Sequence, residues 1–347
     1  MLKDGGTYMK QPMAEIVGNE KLRRRLCDDI INGSTSHAYI ISGQKGSGKH
    51  TVAMMYAAAL SCENKGDDGY PLPCCECRSC RKILEKKSPD IYTIEKDGAS
   101  VKIDQIRELH RGIRYLPNEL DNKIYIIEDT QTMTPQAQNA LLLTLEEPPS
   151  YVIFFLLCEA EEKLLETIKS RAPILRTEPI PGNKIKEYLL THSDEAQKLC
   201  YSKPDEFDAA ISIANGSIGR AIELIDESTR QPFIRQREIA EQFIGFTLSK
   251  NTLELARLVA TLPTKQDELL PILISAETLL RDLILLKESD EATLCFYSDR
   301  EKAIELSYST SLSTLLSLYS KIEKTKDTIQ RNANIKLTLG VLLANIQ

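Results

Sequence analysis

Gly43-Gln44-Lys45-Gly46-Ser47-Gly48-Lys49-His50-Thr51 combines residue types and a spacing suited to holding a phosphate. A glycine-rich turn between a strand and a helix leaves backbone N–H groups free to surround an anion at the helix N-terminus. Ala38–Ser42 before it is a short apolar run bounded by turn residues, and Thr51–Leu60 after it is rich in the helix formers Ala and Met. Lys49 stands at the lysine of the G-x-x-x-x-G-K-[ST] pattern, but His50 replaces the hydroxyl residue that follows it. That hydroxyl ordinarily ligates Mg²⁺, a hard cation that prefers oxygen to imidazole nitrogen. Thr51 is one residue further, roughly 100° round the helix, and so is poorly placed to substitute. Gly43, Gly46, Gly48, Lys49, His50 and Thr51 are therefore the candidate nucleotide contacts, with ATP or ADP held weakly or not at all.

Two further groups carry chemistry. The apolar run Lys123–Ile127 ends in Glu128-Asp129, where a phosphate-loop NTPase places the Walker B acids that serve Mg²⁺ and the attacking water. Ring-forming relatives of that class order them Asp then Glu, and here the order is reversed. The reversal displaces each carboxylate by about one C–C bond, roughly 1.5 Å. Errors near 1 Å can cost on the order of 100-fold in rate. The second group is Cys74-x-x-Cys77-x-x-Cys80 with Cys62 upstream, four thiols suited to a tetrahedral Zn²⁺. Four protein ligands leave no position for water, so the expected zinc is structural. Cys75 could replace Cys74, although only Cys74 preserves the even spacing.

These groups need elements to position them. Met13–Asn32 has a helical pattern with Ile16, Leu22, Leu26 and Ile30 on one side and a basic cluster at Lys21, Arg23, Arg24 and Arg25. Such a cluster is most simply a solvated face, with nucleic-acid contact the alternative. Ile91–Ile94, Lys123–Ile127, Tyr151–Leu157 and Ile174–Arg176 are the remaining strand candidates. Between them, Lys102–Tyr115, Thr134–Leu145 and Glu162–Lys169 are expected to be helical. Strands alternating with helices imply right-handed crossovers and a parallel sheet covered on both faces. Pro179–Gly182 interrupts that rhythm. Helices alone are expected afterwards: Asn183–Thr191, Glu206–Ala214 and Ile218–Ile225 as a small unit, then a composition shift at Ser228–Pro232. Phe233–Leu248, Leu253–Leu262, Glu268–Leu286, Leu312–Lys324 and Ile335–Ile346 follow as amphipathic segments. The fold class is α/β followed by all-α.

With 347 residues, 42% hydrophobic and 27% charged, the chain has room for two or three well-buried cores. A formal net charge of −6 argues against a chain that is basic throughout. No apolar run is long enough to span a bilayer, and the acidic, glycine-containing N-terminal stretch predicts no signal peptide. Nine cysteines, five of them within Cys62–Cys80, point to a local metal site in a cytoplasmic chain rather than a disulfide framework. Cys27, Cys158, Cys200 and Cys295 fall in apolar patterns and are expected in cores.

Ser36–Tyr39, Gly43–Lys49, Cys62/Cys74/Cys77/Cys80, Lys123–Asp129, Asn139–Leu142, Leu145–Pro149 and Ser170-Arg171 occur in that order. In that order they resemble the clamp-loader subunits of bacterial DNA polymerase III, members of the AAA+ family. The resemblance covers about the first 225 residues with specific motifs. It implies an AAA+ phosphate-loop domain over 1–179 with the zinc module at 62–80, a helical lid over 180–228 and a helical collar over 229–347. Two kinds of subunit share the motifs, the ATP-hydrolysing motor (gamma/tau) and delta-prime. His50 and the reversed Glu128-Asp129 depart from the motor. So do Cys158-Glu159, where its sensor threonine lies, and Gly219, where its second sensor arginine lies, with Arg220 one place on. All four departures point towards the delta-prime kind.

The resemblance makes Arg171 an arginine finger for the ATP of a neighbouring subunit, with Ala172 where the family usually has Cys. It implies gamma/tau and delta subunits as partners, and the sliding clamp and primed DNA through the assembled loader. A divergent self-sufficient motor and a nucleic-acid-binding zinc protein are the competing expectations.

Overall fold

The structure, a computed structural model, describes residues 13, 16–64, 73–289, 294, 296–297, 300–331 and 333–346. It divides into two compact units, Met1–Tyr188 with Asn215–Arg220, and Leu189–Ala214 with Ala221–Gln347.

The first unit is built on strands β1 (Ala38–Ser42), β2 (Ile91–Ile94), β3 (Lys123–Ile127), β4 (Val152–Cys158) and β5 (Ile174–Arg176). They form one sheet in the order β2-β3-β4-β1-β5, and every pairing is parallel. Ala38 pairs with Phe154 and Ser42 with Cys158, so β1 and β4 end level with each other. The period-2 alternation of strand side chains then makes two cores. Tyr39, Ile41, Ile126, Phe155 and Leu157 face one way and pack with α1 (Glu20–Ile31) and α2 (Lys49–Leu60). Ala38, Ile40, Ile127, Phe154 and Leu156 face the other way, against α4 (Ile103–Gly112), α5 (Pro135–Glu146) and α6 (Glu166–Lys169). Between α2 and α4 lies α3 (Arg78–Leu84). Burial on both faces explains why β1, β3 and β4 are mostly apolar, with Lys123 and Ser42 at strand ends. Val52–Ala59 of α2 is likewise buried on every side, which its Ala and small-residue content permits.

The parallel sheet and its covering helices agree with the sequence. Boundaries differ where local chemistry intervenes. Helix α1 starts only at Glu20, because Asn19 takes a left-handed conformation (φ 51). Thr134 caps α5, accepting from the Ala137 N–H, with Pro135 in the first turn where its missing N–H costs little. The helix expected over Glu162–Lys169 is broken into a 3₁₀ turn, Glu161–Lys163, and the single-turn α6. Helix α7 (Gly182–His192) follows β5.

The second unit holds α8 (Asp194–Ser202), which the sequence reading missed, α9 (Pro204–Ile213), most of α10 (Ile218–Ile225), and α11 (Glu227–Leu248). It continues with α12 (Thr252–Thr261), α13 (Gln266–Glu288), α14 (Arg300–Ser309), α15 (Leu312–Gln330) and α16 (Ile335–Ile346). One core joins α11, α13 and α15 through Phe243, Leu269, Leu280, Leu283, Leu315 and Ile322. Ser228–Pro232 is helical, with Pro232 carried inside α11. Cys27 and Cys158 are buried as expected and Cys200 is half-buried, while Cys295 lies outside the described residues. No helix among the described residues is long and apolar enough to cross a membrane.

Candidate functional site

The carboxyl ends of β1, β3 and β4 converge, and ligand crevices of parallel sheets open at such ends. The Gly43 N–H donates to Cys158 O at 3.0 Å, tying the loop to β4. A Cβ on Gly43 would fall 1.8 Å from Thr177 Oγ1, so any side chain there would have to displace Thr177. Gly48 (φ 85) caps α2 in the left-handed region that favours glycine. The Lys49 ammonium is folded back on its own loop, donating to Gly43 O at 2.8 Å and Gln44 O at 3.0 Å. Burial lowers its pKa, opposed by the charges of Glu159, Cys158, Asp129 and Glu128.

Just past the loop lysine, His50 Nδ1 lies 2.7 Å from Glu128 Oε1. Two residues read separately as losses thus meet each other. His50 Nε2 is buried and has no hydrogen-bond partner among the described residues. Asp129 (φ 48) turns elsewhere, to Lys96 Nζ at 3.1 Å and Gln131 Nε2 at 3.2 Å. Thr51 is exposed on α2, and no hydrogen bond ties it to the loop among the described residues.

The segment Asn215–Arg220 rests directly on the loop. Gln44 Nε2 donates to Asn215 O (2.8 Å), Ser217 Oγ to Lys45 O (2.9 Å) and the Gly219 N–H to Gly46 O (3.0 Å). A Cβ on Gly219 would stand 2.8 Å from Gly46 Cα. The close backbone approach therefore requires glycine at position 219, where the sequence departs from the expected arginine. Arg220 is exposed. Cys158, at the end of β4, is buried, and burial raises its thiol pKa.

Arg171 follows α6. Its Nη2 donates to Glu146 Oε1 at 2.8 Å, and its Nη1 to Thr167 O at 2.9 Å and Ser170 Oγ at 3.3 Å. The next residue, Ala172, is buried.

The sulfurs of Cys62, Cys74, Cys77 and Cys80 all lie within 4.8 Å of one another. A tetrahedral ion with metal–sulfur bonds near 2.3 Å sets its sulfurs about 3.8 Å apart, so the cluster could hold a metal ion. Backbone N–H groups point at the thiols: Cys74 N to Cys62 Sγ, Cys77 N to Cys74 Sγ and Cys80 N to Cys77 Sγ, at 3.2–3.4 Å. Burial works to raise the Cys74 thiol, but the N–H groups of Cys77 and Glu76 and the neighbouring thiols outweigh it, bringing it to about 6. Burial raises Cys62 and Cys80. Cys75, with φ 59, directs its sulfur to Pro73 O at 3.4 Å, and the cluster uses Cys74 in its place. Residues 65–72 of the module lie outside the described residues.

The basic cluster of α1 is not one face. Lys21, Arg24 and Arg25 are exposed, whereas Arg23 is buried with Nη1 donating to Met13 O at 3.4 Å. An arginine one position before Arg24 must point towards the core on a helix whose Leu22 and Leu26 do so.

Sequence reasoning missed Glu146 as a partner of Arg171, the His50–Glu128 contact, and the reason for Gly219. Complementary side chains at His50 and Glu128, each departing from its pattern, were the available signal.

A family model described as DNA polymerase III, delta subunit, matches residues 18–181. The DNA polymerase III subunit tau of Bacillus subtilis is 31% identical over 222 residues, covering 64% of this chain and 38% of that protein. The DNA polymerase III subunit delta' of the same organism is 34% identical over 170 residues, covering 49% of this chain and 50% of that protein. The chain thus spans half or less of the length of these two relatives. Among solved structures, a DNA polymerase III gamma subunit-related protein of Thermotoga maritima aligns with TM-score 0.48 and 19% identity, over 94% of this chain and 98% of that one.

Proposed function

We propose that the chain, matched through residues 18–181 by the DNA polymerase III delta-subunit family model and similar to tau and delta' subunits, is a clamp-loader subunit of the AAA+ family and a non-hydrolysing one of the delta-prime kind. In this role it helps load the sliding clamp onto primed DNA in a cytoplasmic complex with gamma/tau and delta subunits. The observation that carries the reading is the 2.7 Å contact of His50 Nδ1 with Glu128 Oε1. An imidazole stands where a motor needs a hydroxyl, and it engages the strand-end carboxylate that would otherwise serve Mg²⁺. The Lys49 ammonium, held by Gly43 O and Gln44 O, supports the same reading. So does Gly219, seated on Gly46. Gly43, Gly46, Gly48, Lys49, His50 and Thr51 then form a loop kept for its shape, with nucleotide bound weakly if at all.

What the subunit contributes to hydrolysis is Arg171, presented to the ATP of its neighbour, where a guanidinium stabilises charge on the transferring phosphoryl group. Such fingers are worth roughly 10³–10⁵ in rate. Structural zinc is the group proposed for Cys62, Cys74, Cys77 and Cys80; when bound it would supply folding free energy to the segment 62–80. The proposal keeps the division into an AAA+ part (1–179), a lid (180–228) and a collar (229–347) that assembles with equivalent parts of other subunits.

Two measurements test it. The purified chain alone should show no Mg²⁺-dependent ATP turnover above background. In the reconstituted loader, Arg171→Ala should cut DNA-stimulated hydrolysis by the motor subunits by at least about 10³-fold at the site it serves. The match to tau supports a divergent motor as the second reading. Brisk turnover by the isolated chain, abolished by Lys49→Ala, would select that reading instead.

A further inference from the structure

A finger that acts on a neighbour's triphosphate has to be held still before the neighbour arrives. An arginine reaches its guanidinium over a flexible stem, and fixing that stem costs rotamer entropy. In this chain the guanidinium is already held from two sides. Thr167 O and Ser170 Oγ take Nη1 at 2.9 and 3.3 Å, and Glu146 Oε1 takes Nη2 at 2.8 Å. Among the described residues, the Nε–H and one Nη2–H are left for another acceptor.

The frame behind this contact is stiff. Glu146 is the last residue of α5, and Arg171 follows the short helix α6. At the other end of α5, the buried Gln138 donates through Nε2 to Lys163 O (3.2 Å) and accepts from the Leu165 N–H at Oε1 (2.9 Å). Leu141, Leu145 and Ile168 fill the space between with fully buried apolar contact. The segment 163–171 is therefore stitched to α5 near its start by Gln138 and at its close by Glu146. A carboxylate fixed on a rigid helix end is well suited to orient a partner group.

We infer that Glu146 is a positioning residue for Arg171, holding the guanidinium in the orientation in which its remaining N–H donors meet a neighbouring subunit's ATP; this rests on the finger role proposed above. The ion pair is no lock against the partner. Arg171 is 33% exposed and Glu146 48%, and pairs at that exposure are weak. Glu146 directs the guanidinium without competing strongly for it.

The test uses the reconstituted loader with primed DNA, reading steady-state ATP turnover. Glu146→Ala should lower kcat about tenfold, a loss of the size expected from misplacing a group by a fraction of an ångström. KM for ATP and subunit assembly should stay unchanged. Glu146→Gln keeps an acceptor oxygen at the same reach and should restore kcat to within about twofold. In an Arg171→Ala background, Glu146→Ala should add no further loss, since both act through one group. If Arg171→Ala impairs hydrolysis while Glu146→Ala leaves kcat unchanged or raises it, Glu146 does not position the finger and the inference alone falls. Glu146→Gln no better than Glu146→Ala, with assembly intact, overturns it as well. If Arg171→Ala itself leaves hydrolysis unchanged, the finger role and this inference fall together.

Discussion

A histidine side chain beside a phosphate loop has two ways to act on it, by displacing a cation or by capturing the cation's carboxylate. On the proposed reading His50 does both at once, because its Nδ1 reaches Glu128 at 2.7 Å. The pair is partly solvated, with side chains 27% and 34% exposed, so its worth to stability is modest, about 0–1 kcal/mol. On the proposed reading its effect on Mg²⁺ binding would be larger in kind, since an imidazole replaces the loop hydroxyl and engages one oxygen of Glu128. A ligand present at 100 times its Kd stabilises a protein by about 2.7 kcal/mol, which moves Tm by several degrees. Millimolar MgATP is accordingly expected to leave the Tm of the isolated chain within about 1 °C of its value without nucleotide. A shift of several degrees in differential scanning fluorimetry would mean the loop still takes MgATP. The loop itself was legible from sequence, because glycines and a lysine at fixed spacing form a local motif. The captured carboxylate was not, because it joins residues 78 positions apart. Glu146 and Arg171, 25 apart, escaped for the same reason.

Elements position these groups through anchors that are buried and polar. Asp90, fully buried before β2, takes the Asn118 N–H (2.6 Å) and side-chain amide (3.1 Å) on Oδ1, and the Glu119 (2.7 Å) and Leu120 (2.9 Å) N–H groups on Oδ2. Lys123 Nζ closes the other side of the same loop on Gly112 O and Tyr115 O. Together they fix the entry to β3, whose far end carries Glu128. Burial works to raise the Asp90 pKa, but the three backbone N–H groups outweigh it and hold the carboxyl below its ordinary value. A depressed carboxyl contributes stability that is present above its unfolded pKa of 3.8 and is lost as pH falls through the folded value. Acid should therefore loosen this loop below about pH 4. Asp90→Ala strands three buried N–H donors and should cost about 2–4 kcal/mol at neutral pH, read from the urea midpoint. Asp90→Asn, which keeps one acceptor oxygen, should cost less, and an equal loss would mean that packing rather than acceptance matters. The cysteine element is tested in parallel. If one ion is held by four thiols, Cys77→Ser should lose about one equivalent of zinc on metal analysis. Retention of the full equivalent would remove Cys77 from the ligand set. Helix boundaries were the weaker part of the sequence reading, and physical reasons are visible. Pro232 sits within α11 where a break was read, and the left-handed Asn19 delays α1 although the apolar periodicity begins at Ile16.

At the scale of the molecule, the proposed loader role places the demand for partners on the helical unit. Its core is well filled, with α13 at the centre and Glu277 paired to Lys326 between α13 and α15 at 2.7 Å. The outer surface of α16 is less satisfied. Leu337 is 70% exposed and Val341 53%, one turn apart and so on one side of the helix. Leu316 on α15 is exposed as well. Apolar groups spaced one turn apart cost nothing to the fold when removed, but burying each against a partner would contribute about 1.5–3 kcal/mol. The collar proposal assigns that burial to the equivalent helices of gamma/tau and delta subunits. The double substitution Leu337→Ser/Val341→Ser should then leave the Tm of the isolated chain unchanged. It should weaken its assembly with those subunits by at least about 100-fold, given tenfold per 1.4 kcal/mol. Analytical ultracentrifugation of the mixed subunits reads the second quantity directly. Assembly at wild-type affinity would remove α16 from the collar interface, and a fallen Tm would mean that these side chains serve the chain's own core.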